Sequence, residues 1–393
     1  MVLGRLFREN SLTAAVGAPA PAAAIPRGAL AARLMWGLAV VAVCLLGAEV
    51  AARLDDAVFH SVPFFANPRY EDLIMRDWFG RRGRPHAQFR NWKLNSLGFR
   101  GPETWVARRA GCARVVVMGA SETFGYYESP GHEYPRLLGE KLAARGCVEV
   151  INTAVIGMQL ASMRAYWTHW VARLNPDVVL IYPSPLFYLE SSEPVPPTAS
   201  PKPTRPVAAA GSRQAPGELT HPFESRFIKR LRGMASSAEP RWVQMYFNER
   251  RVRAELTAQA TIPEIRSPPS ADLENFRAAL TALVESIRVN GPRVVLLTHA
   301  QRATLPLERR TLPDLWEARI WAPHTALPVF VEFNLAGNQI ISETARQESV
   351  QLIDVARALN GCWDCFGDLN HFDDKGSEMM TNTIAQQLRM TAP

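Results

Sequence analysis

Alternation of short apolar runs with longer helical patterns is the feature that most restricts the fold of this 393-residue chain. Each run is rich in valine, leucine and isoleucine, and a segment with apolar residues at helical spacing follows it. The predicted strands are, in chain order, "RVVVMG", "VEVINTAV", "DVVLIY", "PRVVLLTHA" and "VQLIDVA". The predicted helices cover residues 134–145, 158–174, 271–291, 333–348 and 376–388. This order predicts an α/β fold with a parallel, doubly wound sheet, which binds ligands at the carboxyl ends of its strands.

Two regions interrupt the alternation. Residues 55–110 form a stem rich in tryptophan and arginine, and residues 183–270 form an insertion within the sheet domain of residues 111–393. The insertion begins with a part that has too many prolines for regular structure. Its later part, "FESRFIKRLRGM", predicts a basic amphipathic helix. Such a helix either lies on an anionic membrane surface or packs as a lid over the ligand site, and the lid is the preferred interpretation.

The first 54 residues predict a membrane anchor. Residues 1–33 carry four arginines against a single acid, and their Ala/Pro-rich composition predicts a disordered cytoplasmic tail. The run that follows, "LMWGLAVVAVCLLGA", is free of charge. Residues 34–54 therefore reach the length of a transmembrane helix if Glu49 lies at the interface.

A cleaved signal peptide is the alternative, because a short apolar run behind positive charges is also typical of secretory signals. The anchor is preferred, since the segment before the run is long and no clear cleavage site follows it. The arginines would hold the N-terminus in the cytoplasm. We therefore expect a single-pass inner-membrane protein whose residues after Arg53 are periplasmic.

Charge gives a weaker indication of partners. The net charge of +7 and the pI near 9.4 are compatible with binding to nucleic acid or to an anionic membrane. The arginines are scattered, however, and no zinc-finger or RNP motif accompanies them. Nucleic-acid binding is therefore not expected.

Four cysteines follow the apolar run. Cys112 and Cys147 come just before the first two predicted strands, so a bridge between them is possible if those strands are parallel neighbours. Cys362 and Cys365, in "CWDC", could close on each other, form a redox pair or bind metal. The redox interpretation is weakened by the late position of the pair, and no histidine stands at metal-ligand spacing. We expect two disulfides, which agrees with export.

Two segments carry candidate catalytic residues. Ser121 follows the first strand, where backbone N–H groups face an incoming oxyanion, although "GASETFG" does not match the G-x-S-x-G elbow. In "GDLNHFDDKG", Asp368 and His371 are three residues apart before the last helix, so the carboxylate can orient the imidazole. Metal binding by Asp373 and Asp374 with these two residues is disfavoured, because carboxylates at a helix start are commonly capping groups.

Together, "VVVMGASETFG", "VINTAVIGMQL" and "DLNHFDDKG" resemble the ordered blocks of the SGNH (GDSL) hydrolase family. The stem end "NSLGFRGPE" and "NPDVVLIY" look like the membrane-anchored bacterial branch of that family. The resemblance implies a three-layer αβα, flavodoxin-like fold and needs no cofactor. It implies that Ser121 is the nucleophile, His371 the general base and Asp368 its orienting acid, with the N–H groups of Ser121 and Gly157 forming the oxyanion hole.

Two positions depart from the family pattern. Ala120 replaces the usual aspartate before the serine, and "YPSPLFYL" after the third strand lacks the usual oxyanion asparagine. Either Ser184 replaces that asparagine, another group enters from the insertion, or the protein is slow. The resemblance implies an esterase or O-acetyltransferase acting on acyl esters, and we expect O-acetyl groups of an exported or cell-surface polysaccharide as the substrate. An inactive carbohydrate-binding or scaffold protein of an envelope assembly, with an envelope protein as partner, is the alternative.

Overall fold

The structure is a computed structural model of the chain. It describes residues 27–60, 62–66, 70–191, 225–238, 240–259 and 262–389. The predicted tail before residue 27 and most of the proline-rich part of the insertion lie outside the described residues.

The N-terminal part consists of one long helix and two small hairpins. Helix α1 is Arg27–His60, and the hairpin strands are β1 (Ile74–Asp77), β2 (Gly80–Gly83), β3 (Gln88–Phe89) and β4 (Trp92–Lys93). Among the described residues, one helix is long and apolar enough to cross a membrane, over Ala31–Phe59. The helix therefore extends beyond the predicted span of residues 34–54 at both ends, and residues 27–33 are helical rather than disordered. Alanine and leucine are strong helix formers, and no glycine or proline interrupts residues 29–36.

A five-stranded parallel sheet forms the centre of the remaining chain. Its strands are β5 (Ala113–Gly119), β6 (Val148–Asn152), β7 (Val178–Tyr182), β8 (Arg293–Leu297) and β9 (Gln351–Ile353). Their spatial order is β6-β5-β7-β8-β9. This is the flavodoxin-like order, in which the direction of winding reverses beside the first strand. The parallel sheet predicted from the apolar runs is confirmed.

Helices complete two outer layers and an arm. They are α2 (Ser121–Phe124), α3 (Tyr134–Ala143), α4 (Leu160–Tyr166), α5 (Arg226–Ala238), α6 (Arg241–Ala258), α7 (Ser270–Arg288), α8 (Leu312–Ala318), α9 (Leu327–Gln347), α10 (Val355–Leu359) and α11 (Asp374–Gln387). Side chains of β5 alternate between two cores. Val116 and Met118 pack with α4, α7 and α9, whereas Val115 and Val117 pack with α3, α10 and α11. The result is the three-layer αβα architecture.

The observed helices differ in extent from the predicted ones. The segment predicted as residues 158–174 is α-helical only in α4, and it continues as a π-turn over Trp167–Val171 and a 3-10 turn. Helix α9 begins six residues before the predicted start because Pro328 occupies its first turn, where a missing N–H costs nothing. Helix α11 begins at Asp374, two residues before the predicted start, because Asp373 caps it by accepting a hydrogen bond from Gly376 N–H.

The four cysteines outside α1 are paired in the structure. Cys112 bonds to Cys147, which lies at the start of the neighbouring strand β6. Cys362 bonds to Cys365. Cys44 in α1 is free and exposed.

Candidate active site

Ser121 is the first residue of α2, directly after the tight turn that follows β5. Strand β5 ends at Gly119, where an added Cβ would lie only 2.0 Å from Thr123 Oγ1. Helix α2 ends after one turn, at Gly125, which has a positive φ of 92°. The turn places the Ser121 side chain at the carboxyl edge of the sheet, next to the reversal of winding, where ligands bind such sheets.

Ser121, His371 and Asp368 form a continuous hydrogen-bonded chain. His371 Nε2 lies 2.7 Å from Ser121 Oγ, and its Nδ1 lies 2.7 and 2.9 Å from the two Asp368 oxygens. The backbone N–H groups of Asn370 and His371 donate to Asp368 Oδ1, at 3.1 and 2.9 Å. Asp368 thus holds the Nδ1–H tautomer, which leaves Nε2 of the neutral ring to accept the serine proton.

Asp373 and Asp374, the other carboxylates of this loop, have structural partners. Asp373 Oδ1 accepts the Gly376 N–H at 2.9 Å, and Asp374 Oδ1 accepts the Ser129 N–H at 2.7 Å. Asp373 therefore caps α11, as the capping interpretation expects, whereas Asp374 accepts from a backbone group of the distant loop at Ser129.

Buried charges perturb the histidine. Burial lowers the pKa of His371, but the charge and hydrogen bond of Asp368, followed by the charges of Glu122 and Glu128, raise the pKa to about 9. Burial raises the pKa of Asp368, and the charge and hydrogen bonds of His371 outweigh it, so that this pKa lies below its usual range. The imidazolium is therefore favoured at neutral pH, and a neutral base becomes abundant only in alkaline solution.

Glu122 is a buried anion beside the serine that sequence reasoning missed. Its Oε1 accepts Asn370 Nδ2–H at 2.8 Å and lies 3.3 Å from His299 Nε2, while its Oε2 lies 3.4 Å from Ser121 Oγ. His299 is in turn 2.7 Å from Asn334 Oδ1. Burial raises the pKa of Glu122, but the His299 hydrogen bond and the charges of both histidines leave it below its usual range. The sequence does show an acid directly after the serine, but acids in the first turn of a helix commonly serve only to interact with the helix dipole.

Glu128 is a second buried acid near the histidine. Its Oε2 accepts the Tyr127 N–H at 3.1 Å, whereas its Oε1 has no hydrogen-bond partner among the described residues. Burial raises the pKa of Glu128 well above its usual value. It is therefore a poorer source of negative charge than Glu122.

Aromatic rings line one side of the histidine. The rings of Tyr126 and Tyr127 lie 5.1 and 5.9 Å from the His371 ring, centroid to centroid. Trp92 of β4 lies 5.1 Å from Tyr126. The stem, predicted only as a separate segment, thus contributes to the wall of the site.

Gly157 belongs to the loop after β6. Val155 N–H donates to Gly119 O at 3.3 Å, which ties this loop to the turn that carries Ser121. Gly157 has a φ of 68°, which favours glycine, and Arg81 Nη1 of β2 donates to its carbonyl at 3.4 Å. An arginine from the stem therefore lies beside the predicted oxyanion residue.

Ser184 is buried two residues after β7 ends. Its side chain makes no capping hydrogen bond to the 3-10 turn Pro185–Tyr188. Its assignment to the oxyanion hole stays a prediction.

No protein-family model matches the chain, and no curated protein matches it in sequence. Solved structures similar to it include a lipolytic protein of the G-D-S-L family from Desulfitobacterium hafniense, at 14% identity over 70% of this chain and 99% of that one, with a TM-score of 0.38. Another is a lipase/acylhydrolase from Enterococcus faecalis, at 14% identity over 72% and 98%, with a TM-score of 0.41. A third is a variant of an acetylxylan esterase from Geobacillus stearothermophilus, at 12% identity over 71% and 95%, with a TM-score of 0.38. These likenesses are too distant to assign an activity, which must follow from the residues of this chain.

Proposed function

We propose that this protein is a serine-dependent acyl ester hydrolase or O-acetyltransferase of the SGNH type. The observation that carries the proposal is the continuous chain of hydrogen bonds from Ser121 through His371 to Asp368. A nucleophile, a base and an orienting carboxylate are the three parts that activate a serine for acyl transfer. All three lie at the carboxyl edge of a parallel sheet.

The reaction would proceed in two steps. Neutral His371 takes the proton of Ser121 Oγ as this oxygen attacks the ester carbonyl, and the ring then protonates the departing alkoxide. The resulting acyl-serine is attacked by water or by a sugar hydroxyl, whose proton passes to His371 and then to the serine oxygen. Asp368 stabilises the imidazolium throughout, which the low pKa of its carboxyl supports.

The oxyanion would be stabilised by the N–H groups of Ser121 and Gly157 together with the Arg81 guanidinium. Arg81 lies beside Gly157, where an added Cβ would be 3.4 Å from its Nη1. A cationic donor in this place would compensate for the asparagine that is missing from "YPSPLFYL". Ser184 remains the alternative donor.

Two features of the chain support a proposed substrate class. Helix α1 would anchor the domain outside the cytoplasmic membrane, and the partly exposed rings of Trp92 and Tyr127 offer faces on which a sugar ring could pack. We propose O-acetyl groups of an exported or cell-surface polysaccharide as the substrate.

Labelling with a serine-directed fluorophosphonate tests the catalytic proposal. Wild-type protein should be labelled and should hydrolyse p-nitrophenyl acetate, and Ser121→Ala should lose both properties while its circular dichroism is unchanged. Ser129→Ala, which alters an exposed serine, is the matched control and should be labelled as wild type. A folded wild-type protein that is neither labelled nor active would refute catalysis by Ser121.

A non-catalytic carbohydrate-binding or scaffold role is the second candidate. It is favoured by the raised pKa of His371, which leaves little neutral base at pH 7, and by the missing asparagine. In that case acetylated glycan would bind equally to wild type and to Ser121→Ala in calorimetry, without turnover at any pH up to 10.

A further inference from the structure

Helix α5 is attached by its first turn to α1, where the charge-free run ends. Glu49 is the first charged residue after that run. Its carboxylate accepts the N–H groups of Arg226 and Phe227, at 3.1 and 3.0 Å, and the Ser225 hydroxyl at 2.7 Å. A carboxylate from another helix therefore caps α5, satisfying N–H groups that a helix start leaves without partners.

Ion pairs extend this attachment along α1. Arg226 Nη1 lies 2.8 Å from Asp56 Oδ2, and Arg230 Nη2 lies 2.6 and 2.5 Å from Asp55 Oδ2 and Asp56 Oδ1. The Arg226 side chain is buried and also donates to the carbonyls of Pro63 and Ala66. The start of α5 is thus held at the level of Glu49 to Asp56 of α1, which favours the membrane-surface interpretation over the predicted lid.

The apolar side of α5 is uncovered. Ile228, Leu231 and Met234 are 45, 54 and 70% exposed, and their spacing of three places them on one face of the helix. The apolar side of α1 continues past Glu49 in the same way, because Val50, Leu54 and Val58 follow at intervals of four and are exposed. Two adjacent helices therefore present apolar side chains near the level at which α1 would leave the bilayer.

We propose that α5 lies on the surface of the membrane that α1 spans, with its apolar face at the boundary between headgroups and acyl chains. The occupant of the exposed face is then the lipid surface of that membrane, which suits the exposed apolar side chains of this amphipathic helix. The membrane contact of α5 is continuous with the apolar surface of α1. The cap that Glu49 forms on α5 sets the depth of this helix in the membrane surface. This proposal rests on the anchoring role of α1 in the proposed function and adds a second membrane contact.

The contact would also orient the active site. Helix α6 begins shortly after α5 ends, and Arg241 in its first turn donates to Gly367 O at 2.9 Å and pairs with Asp314 at 3.1 Å. Gly367 immediately precedes Asp368. The arm formed by α5 and α6 therefore connects the membrane surface to the loop that carries Asp368 and His371.

Lipid quenching of a site-specific fluorophore tests the proposal. The full chain, with Cys44→Ser and its disulfides intact, would carry an NBD label at Met234→Cys and be reconstituted in vesicles of phosphatidylcholine and phosphatidylglycerol that contain doxyl lipids. Val289→Cys, at an exposed residue after α7, is the matched control. We expect at least about twofold stronger quenching at position 234 than at 289, and weaker quenching at 234 after Glu49→Gln with Asp56→Asn.

A label on native Cys44 separates this proposal from the anchoring of α1. Quenching at position 44, combined with equal and weak quenching at 234 and 289, overturns the membrane contact of α5 and leaves the anchor standing. No quenching at either 44 or 234 overturns both. Energy transfer between labels at 234 that disappears on dilution in lipid would show a second copy on this face and would also overturn the proposal.

Discussion

The charge of Glu122 should set the pH at which the protein becomes active. Glu122→Gln preserves the shape of the side chain and its ability to accept from Asn370. It removes an anion that favours the imidazolium form of His371. The pKa of His371 should therefore fall, and the neutral base should become available at lower pH.

The size of the shift follows from the geometry. Glu122 Oε2 and His371 Nε2 lie 3.4 and 2.7 Å from the same Ser121 Oγ, and are therefore at most about 6 Å apart. At this distance and an effective dielectric constant of about 20, the attraction between the two charges is about 2.8 kcal/mol, or about two pKa units. The pKa of His371, about 9 in wild type, should fall to near 7 in the variant.

The assay is kcat/KM for p-nitrophenyl acetate between pH 5.5 and about 10. Below the pKa of His371 the wild-type rate should rise about tenfold per pH unit, and the midpoint in Glu122→Gln should lie about two units lower. Glu140→Gln, which removes an exposed acid of α3, is the control and should leave the midpoint unchanged. NMR titration of His371 gives the same comparison without turnover. A midpoint within about 0.3 units of wild type in both measurements would refute the role of the Glu122 charge.

Three further predictions concern the oxyanion site and stability. Arg81→Met should lower kcat about 10²–10³-fold if the guanidinium stabilises the oxyanion. The control Arg82→Met removes a neighbouring arginine that pairs with Asp77 and should leave kcat within about threefold of wild type. Equal losses of kcat in the two variants would contradict the assignment of Arg81. Replacing Cys112 and Cys147 by serine should lower the free energy of unfolding by about 4 kcal/mol, because this disulfide joins residues 35 positions apart. Replacing Cys362 and Cys365, which are 3 positions apart, should lower it by only about 2 kcal/mol. Urea denaturation measures both losses. Arg100→Met should lower the free energy of unfolding by about 3–5 kcal/mol, because it leaves Glu133 buried without its partner. Arg136→Met, in the exposed pair with Glu140, should lower it by less than about 1 kcal/mol. Similar losses in the two variants would refute the role of burial.

Local patterns were sufficient to predict the sheet. The central strands β5, β7 and β8 are mainly apolar runs that are buried on both faces, whereas the edge strands β6 and β9 are only partly buried. The crossover helices carry their own apolar periodicity, as in α7, so these elements can be predicted without knowing which distant residues they contact. The proximity of Asp368 and His371 was also local, because they are three residues apart on one turn. The pairing of Ser121 with His371 was implied by the resemblance of their segments to the ordered blocks of the SGNH family.

Contacts between distant segments could be decided only by the tertiary structure. Glu122 and His299 are 177 residues apart, Arg81 and Gly157 are 76 apart, and Glu49 caps a helix 177 residues later in the chain. In each case one side chain looked ordinary in its own segment: an acid in a first helical turn, an arginine in a hairpin, an acid after an apolar run. Their meaning comes from burial and from the partner that the fold brings near, because the cost of desolvating a charge is set by its three-dimensional surroundings and not by its neighbours in sequence. The sequence alone therefore determined the α/β architecture and the candidate Ser–His–Asp chain, and the tertiary structure decided the charge around the histidine, the donor beside Gly157 and the attachment of α5 to α1.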